Sequence, residues 1–182
     1  STPAIDEGLR QYMMSVYNYM ASGLALTGLV AYMLFQATAV TSPTGDIVGL
    51  TSLGVTLYTG PMMWVVALAP LGIVMYMSFG IRNMSASRAQ TMFWIFAFLM
   101  GLSLSTIFIT YTGASIARVF FITASTFGAM SIYGYTTKRD LTGFGSFLFM
   151  GLIGIIIASI VNIFMQSPAL YYGISILGVL IF

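Results

Sequence analysis

The chain repeats one pattern from end to end: an apolar run of span length, a short polar hinge, another apolar run. The stretch 128–164 shows it most clearly, with two hydrophobic runs meeting at a tight polar turn, 136–142, that carries Lys138, Arg139 and Asp140. Charged residues make up 5% of the sequence, against about 25% in a soluble domain. So few charges cannot cover a fold in water, and the chain belongs in a bilayer.

The same scarcity excludes several classes of function. With no cysteine and no histidine, a disulfide scaffold, a zinc site and any thiol or imidazole nucleophile are out of reach. No acid among Asp6, Glu7, Asp46 and Asp140 falls inside an apolar run, so aspartyl-protease chemistry lacks its paired carboxylates. Lys138, the sole lysine, sits in a turn, where a Ser–Lys dyad is out of place. The sequence therefore reads as a non-enzyme without cofactors. Its net charge of +2 is too small to attract nucleic acid. The polar opening, 1–11, followed at once by a span-length run, is expected to be no cleavable signal.

Read for helices, the chain is an all-α polytopic transmembrane bundle, one domain over 1–182. Spans fall at about 16–40, 62–81, 91–111, 116–136, 144–165 and 169–182. Small and polar residues at helical spacing mark the faces expected to look inward. In the first span these are Asn18, Ala21, Ala25, Gly28 and Tyr32, with Leu24, Val30 and Leu34 toward lipid. In the third they are Ala97, Gly101 and Ser105, and its other hydroxyls are expected to bond their own helix carbonyls. The fourth span offers Ala124, Gly128, Ser131 and Tyr135, the fifth Gly151, Gly154, Ala158 and Asn162, and these two should pack as an antiparallel pair. Asn18 and Asn162 are the polar candidates for the bundle interior.

Three further features are local. Pro70 stands inside the second span and predicts a kink. The segment 41–60 holds no Lys or Arg, and its mildly apolar part, 47–58, is expected to lie in the interface as a short helix. Ser167–Pro168 opens the last helix, with proline in the tolerated first turn. Its apolar run, 169–182, reaches only about 21 Å at 1.5 Å per residue, against a hydrocarbon core of about 30 Å. The polypeptide is therefore expected to continue past Phe182, with seven spans in all.

Basic residues set the orientation. With the N-terminus inside, the inner segments hold Arg10, Arg82, Arg88, Lys138 and Arg139, and the outer ones only Arg118. That bias predicts a cytoplasmic N-terminus. The Lys138–Arg139–Asp140 turn reads as a topology anchor touching anionic lipid, or as a docking point for a partner.

Five stretches carry a family likeness: RQYMMSVYNYMASGL at 10–24, SFGIR at 78–82, FGAMSIYGYTTKRDL at 127–141, IVNIF at 160–164 and ISILGVLIF at 174–182. Together they resemble the bacterial branch of the Bax inhibitor family, the group with the transmembrane Bax-inhibitor motif. The resemblance covers nearly the whole chain and is most specific over 127–164. It implies six helices around a central one, in a bacterial inner membrane. It also implies a pH-sensitive cation leak with calcium as the favoured ion. In that family an arginine at the cytoplasmic end of the second span ties down two aspartates from the last two helices, and Arg82 matches the arginine. The aspartates would lie beyond Phe182. Arg82 thus has two readings, a gate residue or an anchor snorkelling to headgroups. The alternative function is that of an accessory or regulatory subunit bound to a larger membrane protein complex, without transport of its own.

Overall fold

Helix is the solution that satisfies every backbone polar group inside the segment itself, which lipid requires. The computed structural model describes residues 7–137 and 142–182, and Asp6, Lys138, Arg139 and Asp140 lie outside them. The described chain is helical almost throughout. It comprises α1 (Glu7–Thr38), a small hairpin of β1 (Ala39–Thr41) and β2 (Ile47–Leu50), then α2 (Ser52–Tyr58) and α3 (Pro61–Gly80). A 3-10 turn at Ile81–Asn83 leads to α4 (Ala86–Thr110), α5 (Gly113–Thr136), α6 (Thr142–Met165) and α7 (Pro168–Ile181). Among the described residues, α1, α3, α4, α5 and α6 are long and apolar enough to cross a membrane, and α7, at 14 residues, is shorter.

The chain divides into two compact units, Ser1–Ala124 and Ser125–Phe182. In the first, α1 packs along α4. Three links fix their direction. The Gln90 amide donates to the Tyr19 hydroxyl at 2.7 Å, Thr27 Oγ1 donates to the Ala97 carbonyl at 2.9 Å, and the rings of Phe35 and Phe108 stack at 5.7 Å. Residue numbers rise together on both helices, so α1 and α4 run parallel. Helix α3 joins α4 through the short turn at 81–85 and packs antiparallel to it.

Close approach depends on small residues. Ala97, Gly101 and Ser105 are the buried residues of α4, as their spacing predicts. On α1 the buried positions are Gly23, Ala31 and Thr38, with Thr27 half-buried between them. This corrects the expected inward face: Asn18, Ala21, Ala25, Gly28 and Tyr32 are exposed, while Val30, expected toward lipid, abuts Gly101. Helix α1 carries small residues on two stripes, and the stripe that can receive Phe93 and the Ala97–Gly101 ridge is the one used. Of the other α4 hydroxyls, Thr106 and Thr110 bond back as expected, to Ser103 and Thr106, and the ridge residue Ser105 does the same to Leu102. Pro70 is buried within an otherwise continuous α3.

In the second unit α6 packs on α7. A Cβ at Gly151 would meet Ile181 at 2.8 Å, whereas one at Gly128 of α5 would meet nothing within 4 Å. The small-residue face of α6 thus serves α7 rather than α5. Asn162 also departs from its expected role. Its Oδ1 accepts from the Ser167 backbone N–H at 3.0 Å, and its carbonyl accepts from Gln166 N–H at 2.8 Å. The asparagine closes the turn between α6 and α7, where Gln166 has φ of 49°, because the end of α6 leaves carbonyls and following N–H groups that need partners. Ser167 caps α7, accepting from Leu170 N–H at 3.4 Å, with Pro168 in the first turn.

Large apolar side chains are exposed along α3, α5, α6 and α7. In water such a surface is an aggregation hazard; against acyl chains it is ordinary solvation.

Candidate functional site

Polar chemistry in the first unit sorts to its two ends. Because α1 and α4 are parallel, Arg10 near the start of α1 shares an end with Arg82 and Arg88, which flank the start of α4. The hairpin with Asp46 lies at the other end, where α1 finishes.

The arginine end is built by a break in helix. α3 ends at Gly80, the chain makes one 3-10 turn through Arg82, and Ser85 caps α4, its Oγ accepting from Arg88 N–H at 3.3 Å. Arg82 is exposed on that turn. Its side chain has no ion pair or hydrogen bond among the described residues. No Asp or Glu occurs anywhere from 47 to 139, so the two spans joined by this turn bring no carboxylate of their own. Beside the turn is a cleft of about 350 Å³ lined by Tyr76, Phe79, Gly80, Asn83, Met84 and Arg88. Sequence reasoning singled out Arg82 and passed over Arg88 as a site residue; the cleft is lined by the latter and not by the former.

The opposite end is closed by a cap that the sequence reading missed in part. The expected interfacial helix over 47–58 is in fact a strand, Ile47–Leu50, followed by α2. β1 and β2 pair antiparallel, with Ala39 opposite Leu50 and Val40 opposite Gly49. Gly45 supplies the positive φ of 87° that the turn needs, a conformation open to glycine. Thr51 then ties α2 to the end of α1. Its N–H donates to the Thr38 carbonyl at 2.8 Å, its hydroxyl to the Ala37 carbonyl at 3.0 Å, and the same hydroxyl caps Gly54 N–H at 3.2 Å. Tyr58, at the far end of α2, reaches the fully buried Ser105 and Thr38.

Among the described residues no group of three or more Asp or Glu gathers to hold a metal ion. Asn18 is exposed, and Asn162 belongs to the turn between α6 and α7.

Taken together, apolar spans with Arg10, Arg82 and Arg88 gathered at one end and a capping hairpin at the other define a polytopic helical integral membrane protein. A family model described as "Inhibitor of apoptosis-promoting Bax1" matches residues 9–182, and the chain belongs to that Bax inhibitor family. It is 47% identical over 179 residues to an uncharacterized protein of Caulobacter vibrioides, covering 98% of this chain and 70% of that one. It is 48% identical over 177 residues to the uncharacterized protein RP147 of Rickettsia prowazekii, covering 97% and 70%. To the inner membrane protein YbhL of Escherichia coli it is 43% identical over 176 residues, covering 96% and 70%. No solved structure matches.

Proposed function

We propose that this protein provides a pH-sensitive leak for cations, calcium foremost, across a bacterial inner membrane, with its N-terminus in the cytoplasm. Arg82 acts as the cationic half of the gate. The observation that carries the reading is the state of Arg82 itself, a guanidinium at the end of a span with no carboxylate partner among the described residues. A carboxylate partner would fix a guanidinium at the end of a span through paired, charge-assisted hydrogen bonds. A pair of carboxylates would supply a partner whose strength depends on pH, since close acids shift each other's titration. From the family likeness such a pair is expected beyond Phe182, and the matched relatives are longer than this chain. YbhL is named an inner membrane protein, and Arg10, Arg82 and Arg88 at one end favour the cytoplasm for that end. The reading is of a conduit, with no bond made or broken.

The test is calcium flux into dye-loaded liposomes carrying the full-length protein, measured across pH. Arg82→Ala is expected to raise the leak at neutral pH and flatten its pH profile. An unchanged flux and profile removes Arg82 from the gate.

A further inference from the structure

The cleft beside the 3-10 turn gathers three hydrogen-bond donors that the protein leaves unused. The Tyr76 hydroxyl, the Asn83 amide and the Arg88 guanidinium all line it, and none of these side chains has a hydrogen bond or ion pair among the described residues. The remaining wall is apolar, made by Phe79, Gly80 and Met84. Phe79 is 84% exposed, so its ring stands open at the edge of the cleft. Its position is set by the two candidate spans, Pro61–Asn83 and Ala86–Thr110, whose ends meet here; the end of a span is where hydrocarbon gives way to headgroups. At about 350 Å³ it is within the size range of small-ligand sites.

We infer that this cleft binds the headgroup phosphate of an anionic phospholipid, with Arg88 as its principal ligand. The guanidinium offers paired donors to phosphate oxygens. Asn83 and Tyr76 add neutral donors, and Phe79 and Met84 offer an apolar wall to the glycerol and first methylenes. The choice of an anionic over a zwitterionic lipid follows from charge. Arg82 stands next to the cleft, and 47–139 holds no Asp or Glu, so an ammonium headgroup would meet cations and, among the described residues, no carboxylate. Helix α1 does not supply one at this height either. The Tyr19–Gln90 pairing sets Arg88 level with about residue 17, which leaves Glu7 about 15 Å farther along the axis. This site does not depend on the gate assigned to Arg82.

The experiment uses the protein in phosphatidylcholine nanodiscs with and without phosphatidylglycerol. It reads the thermal unfolding midpoint and the phosphatidylglycerol retained on transfer to detergent. Ligand binding to the folded state raises the midpoint. Phosphatidylglycerol is expected to raise it for the parent protein and for Arg118→Gln, a change near the start of α5, past the end of α4 remote from the cleft. Arg88→Gln should lose most of the rise and most of the retained lipid, Asn83→Ala part of both, and Arg88→Lys should keep an intermediate share. A full rise in Arg88→Gln, or an equal loss in Arg118→Gln, overturns the site. A rise of the same size from inorganic phosphate without phosphatidylglycerol would show a soluble-anion site instead and likewise overturn the lipid assignment.

Discussion

The Tyr58 hydroxyl lies 2.7 Å from Ser105 Oγ and 3.3 Å from Thr38 Oγ1, joining α2 to both helices of the parallel pair. Proton accounting gives the bond its direction. Ser105 donates to the Leu102 carbonyl at 2.6 Å and Thr38 to the Leu34 carbonyl at 2.6 Å. Each hydroxyl has one hydrogen, so Tyr58 is the donor, and the shorter contact to Ser105 receives it. This is the inner latch of the cap; Thr51 on the α1 end is the outer one.

Tyr58→Phe removes that donor while Ser105 and Thr38 keep their backbone bonds. The expected loss is about 1 kcal/mol of stability, measured by thermal unfolding in detergent. Hydrogen exchange should quicken across 39–60 and stay unchanged in the α1–α4 contact. Exchange that is the same in parent and variant would show that the tyrosine does not hold the cap.

Glycine packing gives a sharper contrast. A Cβ at Gly101 would sit 2.6 Å from the Val30 Cβ and 2.8 Å from the Thr27 carbonyl oxygen, whereas one at Gly28 would meet nothing within 4 Å. A backbone carbonyl cannot swing aside as a side chain can. Gly101→Ala is expected to destabilise by about 1–3 kcal/mol through overpacking. Gly28→Ala should be neutral or gain up to about 1 kcal/mol from helix propensity. Both are read from unfolding midpoints of the purified proteins. Equal effects at the two sites would mean α1 packs on its other stripe.

That last comparison shows where the sequence was legible. On α4 one ridge of small residues exists, Ala97–Gly101–Ser105, and it is the buried one. On α1 two such ridges compete. In lipid the outside is as apolar as the inside, so hydrophobic contrast cannot choose between them; the choice rests on which ridge fits Phe93 and Gly101. The cap was harder still, because its hairpin depends on long-range partners such as Thr51 with Thr38, which no local pattern reveals. At the arginine end the position of Arg82 could be read from the break between two apolar runs. The convergence of Tyr76, Asn83 and Arg88 on one cleft could not, since it depends on how the 3-10 turn folds back.

Parallel α1 and α4 make a prediction about sidedness that holds whatever the gate does. The sequence has no cysteine, so single cysteines can be introduced without a background. Gln11→Cys, Ser87→Cys and Thr44→Cys alter exposed positions at the start of α1, the start of α4 and the hairpin tip. Two parallel spans must begin on the same side, and the hairpin that follows α1 must lie on the other. A membrane-impermeant thiol reagent applied to intact spheroplasts is expected to label Cys at 44 and spare the cysteines at 11 and 87. Inverted vesicles should reverse the result, since the arginines favour the cytoplasm. Labelling of 87 and 44 from one side would break the parallel arrangement itself. Labelling of 11 and 87 together from outside would keep the fold and invert its orientation, placing Arg82 and the Arg88 cleft on the opposite face of the membrane.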